Sequence, residues 1–478
     1  MKQSELIVGT CLVENFFDTD AYVSLPDYQR PYVWDSIKLE QLYKDFEDHF
    51  FIDNVYNKNA PLYYLGSILL FEKEKNTYEV IDGQQRITSL LLTDYAWNKD
   101  ESFLESGYWN LEYNSLLSSA NLKQNYQYIK NTITVVKKYI QDIFSKLAFT
   151  VIITNSEDEA FTFFDSQNAR GVTLSAVDFL KSYHLRELKG KESLQAIFAK
   201  KWDRNNTGQF LNDLFNLILW RSRQWKGKHL YFEFKDAILD NFQKQTIKGK
   251  DGEAIRLYPN IFNSLSSSLT FCESQGVVVQ PNALNLQTTA EQYPFALRQP
   301  IQKGIGFFLY TEKYFAIYQM LFIENRFADF TNLYNTLLRG VSYYFRSFFR
   351  LAIISYYDKF KEVKLIECGL WLDYLLGSYR INQNSIVSQT VIKILRDNNQ
   401  NLLDVIEMSY RPEDVFRFIE SITTDEFYNK KTSDLGGEFG VRRIYLQNNL
   451  DFFEAVRNNE KQLNNKKRWL NEYINKIK

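Results

Sequence analysis

The chain has 478 residues, of which 45% are hydrophobic and 24% charged, values of an ordinary folded protein that exclude a mostly disordered chain, a collagen-like repeat and a disulfide mini-protein. Its 57 Lys and Arg nearly cancel 58 Asp and Glu, leaving a formal net charge of -1, so any contact with nucleic acid has to come from a local patch. At roughly 100–200 residues per domain, the length calls for two to four units.

Cys11, Cys272 and Cys368 form no CxxC pair. That spacing argues against a thiolate zinc site and a disulfide framework, and for a reducing, cytoplasmic compartment. The N-terminus shows no basic stretch leading into an apolar one, and no apolar run approaches the ~20 residues that span a bilayer, so neither a secretory signal nor a membrane partner is expected. The aromatic share, 16%, reads first as well-filled cores.

Residues 21–25 form a strand-like run closed by Pro26, with Pro31 five residues on. Segments 63–71 and 77–81, rich in aromatic and β-branched residues around a polar 72–76, read as a hairpin. Asp82-Gly83 closes its second strand, and 84–97 has helical spacing through Ile87, Leu90, Leu91 and Tyr95. Beyond residue 100 helices dominate: 122–144 reads as one helix, 147–154 as a returning strand and 157–167 as a helix. Ser175 opens another helix, with Asp178 three residues later completing a capping box. No proline occurs in 62–258 or 301–411, whereas 251–300 carries four of the eight and reads as a long irregular connection. Residues 301–360 and 402–478 are helical again. Local charge is uneven: 221–250 holds 8 basic and 3 acidic side chains, net +5, and 441–478 holds 9 and 4, also net +5. Such clusters are commonly solvated helix faces and become nucleic-acid contacts only with further support.

Three segments concentrate residues that bind anions. In Pro26-Asp27-Tyr28-Gln29-Arg30-Pro31-Tyr32-Val33-Trp34 two prolines stiffen a tetrapeptide, Arg30 offers a planar fork suited to phosphate, Gln29 a neutral donor and acceptor, and Tyr28, Tyr32 and Trp34 rings that pack or stack. In Asp82-Gly83-Gln84-Gln85-Arg86 a strand ends, glycine permits a sharp turn and a helix begins. Its first-turn N–H groups carry partial positive charge, and Arg86 adds a full one where it opposes the helix dipole. Asp82 is placed to cap that helix, hold Mg²⁺ or position a water. The third segment, Asn168-Ala169-Arg170-Gly171-Val172-Thr173-Leu174-Ser175, joins two helices with Arg170 at its tip. Each has an ordinary reading as a turn with packed aromatics and solvent-facing polar groups. Neither a P-loop nor a GxGxxG fingerprint is present.

Taken together, Pro-x-Tyr-Gln-Arg-x-Tyr-x-Trp, Asp-Gly-Gln-Gln-Arg and Asn-x-Arg-Gly-x-x-Leu-Ser resemble the N-terminal domain of the GmrSD-type, modification-dependent restriction endonucleases, whose core is similar to the ParB and sulfiredoxin fold. The resemblance covers about residues 10–190. Together with the helical pattern further along the chain, the expected architecture is α+β: a small mixed α/β lobe, ParB/sulfiredoxin-like by the resemblance, with a helical extension over 1–195, then a mainly α-helical domain over 196–478. The resemblance also bears on function. It implies a nucleotide site formed by Gln29, Arg30, Gly83, Gln84, Gln85, Arg86, Asn168 and Arg170, with Asp82 and Arg86 catalytic, Asp82 holding Mg²⁺, and Tyr28, Tyr32 and Trp34 reading DNA. Full-length members usually continue into an HNH nuclease, but His49, His184 and His229 are the only histidines and none has proline three residues on, which argues against an intrinsic HNH centre. Two functions follow. One is a nucleotide-binding, NTP-hydrolysing sensor or regulator in a restriction or anti-phage system acting on foreign or modified DNA. The other is a non-catalytic DNA- or nucleotide-binding module that docks a separate nuclease subunit.

Overall fold

Aromatic and β-branched residues crowded between Tyr63 and Asp82 build the long hairpin on which the N-terminal unit is assembled. A computed structural model describes residues 6–26, 29, 31–113, 115–132, 134–156, 159–160, 175–188, 190–206, 210–248, 255–256, 258, 267–272, 276–281, 288–430, 435 and 440–477. The chain divides into two compact units, residues 1–208 and 209–478, within an α+β architecture.

The first unit holds a six-stranded sheet. Its strands are β1 (Leu6–Leu12), β2 (Tyr22–Ser24), β3 (Tyr63–Glu74), β4 (Thr77–Asp82), β5 (Trp109–Asn110) and β6 (Leu147–Thr154), in the order β1-β6-β3-β4-β2-β5. β3 and β4 form the expected antiparallel hairpin. β3 runs on to Glu74, though, so the connection is only Lys75-Asn76, with Asn76 at φ 62°; residues 72–74 extend because they continue the pairing with β4. The returning strand β6 lies where the sequence places it, parallel to β3 and antiparallel to β1. Helices α1 (Ser36–Phe50), α2 (Gln84–Asn98) and α3 (Leu116–Asn131) cover the sheet, and Phe17, Phe46, Ile68, Val80, Ile87 and Phe149 are fully buried in one core.

One expected helix breaks. Instead of 122–144, α3 ends at Asn131, and single turns follow at Val135–Lys138 and Ile140–Phe144. Thr132 and Thr134 supply the reason. The Thr132 hydroxyl donates back to Tyr128 O, and that of Thr134 accepts from Val136 N while bonding Glu47, so two β-branched side chains take over the backbone's hydrogen bonds. Helix α4 (Ala176–Arg186) carries the expected Ser175–Asp178 capping box, and α5 (Glu192–Asn205) follows. The helix expected over 157–167 lies almost wholly outside the described residues.

The second unit is mainly helical. The stretch 251–300, expected to be irregular, contains an antiparallel ribbon, Ser267–Cys272 with Gly276–Pro281. Helices α6 (Ile305–Phe322), α7 (Ala328–Leu337), α8 (Tyr343–Phe360), α9 (Leu365–Asn382), α10 (Ser388–Arg396), α11 (Leu402–Met408), α12 (Pro412–Ile422), α13 (Val441–Phe452) and α14 (Lys466–Ile477) follow. α8 and α9 are buried along most of their lengths, and Phe345, Phe348, Phe349 and Tyr356 show where much of the aromatic surplus goes. Among the described residues no helix is long and apolar enough to cross a membrane.

Three helices meet around a buried charge pair. Lys466 Nζ on α14 donates to Asp373 Oδ2 on α9 at 2.5 Å, and Tyr445 on α13 donates its hydroxyl to Asp373 Oδ1 at 2.9 Å. Removing one member strands the other in an apolar interior. Lys466→Met is expected to cost about 3–5 kcal/mol in denaturant unfolding of the second unit, much more than a surface lysine change would.

Candidate functional site

Glycine at position 83 is required on two counts. Its φ is +95°, and a Cβ there would stand 2.9 Å from Ile68 Cγ1. The left-handed turn lets β4 stop at Asp82 and α2 start at Gln84, with Ile87 N donating to Gly83 O at 3.0 Å. Gly83 is itself the N-cap and has no side chain to cap this helix with. Of the three roles open to Asp82, capping is therefore not the one adopted. Its carboxylate turns to Arg86 instead, at 3.7 Å.

Arg86 does not stand free. Nη1 donates to Leu65 O at 2.6 Å and Nη2 to Ser67 O at 2.7 Å. Between those carbonyls lies Gly66, at φ +94°, where a Cβ would come within 2.5 Å of Nη1. The pairing of β3 with β6 slips there: Tyr64 faces Ala148, but Ser67 faces Thr150. One extra residue thus bulges from β3, and the guanidinium bonds the carbonyls on either side of Gly66. Burial pulls the Arg86 pKa down, while Asp82 and then Tyr64 act to raise it. A quarter of the side chain remains exposed, as does a quarter of Asp82.

The glutamines act as clamps. Buried Gln85 accepts from Val33 N at 2.9 Å and Trp34 N at 3.2 Å through Oε1, and donates to Pro31 O at 3.1 Å through Nε2. Gln29 donates to Val80 O and Ile81 O, both at 2.7 Å, and so ties the proline-bounded segment to the end of β4. Buried Gln84 bonds the Tyr113 hydroxyl, which also meets Thr88 Oγ1 at 2.5 Å. Tyr113 is pushed up to about 12, chiefly by burial.

The structure therefore brings Gln29, Tyr32, Trp34 and residues 82–86 into one connected framework. Tyr28, Arg30, Asn168 and Arg170 lie outside the described residues. One expectation needs correction: Tyr32 is fully buried, its hydroxyl 2.8 Å from Ser89 Oγ and 3.0 Å from Asn125 Nδ2, so its ring is core and presents no face to a base. Trp34 is partly buried against the same core.

Sequence reasoning missed three parts of the framework. The Gly66 bulge carries no motif. Ser118, Asn121 and Asn125 on α3 bind the backbone of 32–34, and their helical spacing, with Ser118 and Asn125 seven apart, was the available signal. Lys181 on α4 donates to Gln29 O at 3.1 Å and forms a buried pair with Asp203 at 2.9 Å. Beside these groups lies a small cavity of about 100 Å³, lined by Ser24, Gln29, Asn110, Glu112, Tyr113 and Asp203 among others.

Asp82 is a single carboxylate beside a guanidinium, and among the described residues no group of three His, Cys, Asp or Glu side chains is placed to hold a metal. His49 Nε2 lies 2.9 Å from Pro61 O, and His184 is buried.

Two family models match the chain. Residues 13–185 match the GmrSD restriction endonuclease, N-terminal domain, so the first unit carries a GmrSD-type N-terminal domain. Residues 194–434, half of the sequence, match a family of unknown function (DUF7834), to which the chain belongs. No curated protein matches it.

The geometry assigns Arg86 a mechanical duty that can be measured. Arg86→Lys, unable to span both carbonyls, is expected to lose about 1–3 kcal/mol in denaturant melts. Gly66→Ala is expected to be at least as damaging, and amide hydrogen exchange across 65–67 should quicken in both variants.

Proposed function

We propose that this member of DUF7834, carrying a GmrSD-type N-terminal domain, is the nucleotide-binding sensor of a restriction system acting on foreign or modified DNA. The observation that supports this most directly is the turn 82–86. There a helix begins at Gly83, a residue with no side chain of its own to cap it, and a partly exposed Arg86 sits in its first turn. Phosphate approaching the turn meets the positive end of the helix dipole and the outer edge of the guanidinium, in a frame already held by Gln29 and Gln85. Because those clamps are made before any ligand arrives, little order has to be created on binding.

In this reading Arg86 orients and stabilises phosphate charge, and the Asp82 carboxylate accepts a proton from an attacking water. The adjacent guanidinium, 3.7 Å away, fixes that carboxylate in direction. A second reading, binding without turnover, is favoured by one specific feature: Arg86 already spends two donors on Leu65 O and Ser67 O, which leaves fewer for a transition state than a dedicated catalytic arginine has. Cutting of DNA would then fall to a separate nuclease subunit.

Asp82→Asn separates the readings while preserving the bulge. Calorimetric titration with ATP and GTP should show binding to the wild type, and binding of equal or greater strength to Asp82→Asn, since a carboxylate next to the phosphate has been removed. Phosphate release should be seen for the wild type and fall at least ~100-fold in the variant, the scale of a lost general base. Binding to both with no release from either selects the non-catalytic reading, and no nucleotide binding by the wild type rejects both.

A further inference from the structure

The basic segment 221–250 is not used by the turn 82–86, and it places exposed rings among exposed cations. We propose that residues 226–234 form a stacking platform for single-stranded nucleic acid in the second unit.

Tyr231, Phe232 and Phe234 are 62%, 46% and 61% exposed, while Lys226, Lys228 and His229 on the same segment are exposed as well. The rings are not displayed on a loose loop. Trp225, buried, donates Nε1 to Tyr231 O at 2.7 Å, and the Arg221 guanidinium lies 4.7 Å from the Trp225 ring while pairing with Glu233 through Nε at 3.1 Å. Asn401 donates to Gly227 O at 3.0 Å, and Gly227 N donates to Asp404 at 2.6 Å. Every one of these bonds uses backbone or a buried side chain and leaves the three rings outward. Holding large apolar surface in water at fixed positions, interleaved with positive charge, is the arrangement that base stacking and phosphate contact together require.

A groove of about 360 Å³ opens at the start of the segment, lined by Gly227, Lys228, Asn399, Gln400, Asn401 and Met408 among others. Its size is that of a small-molecule site, and its amide side chains offer both donors and acceptors, as base edges do. The acids nearby do not cancel the field. Asp404 is paired with Arg298 at 2.5 Å and Glu233 with Arg221, and among the described residues Glu407, which acts on Lys226, and exposed Asp236 are further acids near the segment. Rings of this kind reach only unstacked bases, so the ligand is single-stranded rather than duplex.

Fluorescence anisotropy of the full chain with a short labelled oligothymidylate tests the proposal. Wild type should bind with an affinity that falls steeply with salt. Tyr231→Ala and Phe234→Ala, both truncations of exposed rings that keep the wild-type melting temperature, should each weaken binding ~10-fold. Lys228→Glu should weaken it and flatten the salt dependence. An oligouridylate bound equally well supports recognition through base faces. Absence of binding by the wild type, unchanged affinity in both aromatic variants, or duplex binding indifferent to the rings overturns the proposal. ATP titrations of Tyr231→Ala and Phe234→Ala should match the wild type, so failure at this surface and failure at the turn 82–86 are separately visible.

Discussion

The N-terminal unit turns on a guanidinium lodged against a glycine. Arg86 bridges Leu65 O and Ser67 O across Gly66, and in doing so joins the first turn of α2 to a bulge in β3. That bond lets β3 pair parallel with β6 on both sides of a one-residue slip. It also holds α2 where Gly83 can approach Ile68 closely. Withdrawing most of a cation from water is normally costly, and here two carbonyl acceptors and Asp82 offset the cost.

The same logic extends outward through amides rather than charges. Gln85 satisfies three backbone groups of residues 31–34, and Gln29 reaches back to the carbonyls at the end of β4. Asn121 and Asn125 hold the far side of the segment. Each amide pairs main-chain groups that irregular backbone leaves unbonded. A pentapeptide rich in Gln and Arg thus braces a turn with its own side chains, burying Gly83, Gln84 and Gln85 and leaving about a quarter of Asp82 and of Arg86 exposed.

The second unit divides its polar groups differently. Lys466–Asp373 and Lys313–Asp358 are ion pairs buried among helices, each with tyrosine hydroxyls completing the coordination. Such pairs penalise any packing that separates them, and so select one arrangement of α9, α13 and α14, and of α6 and α8. Around 226–234 the opposite choice is made: backbone is pinned and side chains are left outside. The aromatic surplus of the composition therefore serves two ends, core in α8 and α9 and display beyond Trp225.

Much of the fold was readable from local pattern. The hairpin, the helix after Asp82-Gly83, the returning strand and the Ser175–Asp178 capping box follow from alternation, helical period and cap chemistry, which act within a few residues of each other. The family resemblance was legible for the same reason, since its motifs are contiguous. What the sequence left open depends on partners far along the chain. Thr134 ends a helix because Glu47 is there to receive it. Tyr32 is core because Ser89 and Asn125 close over it. Arg86, in sequence a cation awaiting an anion, spends two of its donors on strand carbonyls some twenty residues earlier. Residue type sets what a side chain can bond, and only the tertiary structure decides which of the available groups comes within reach.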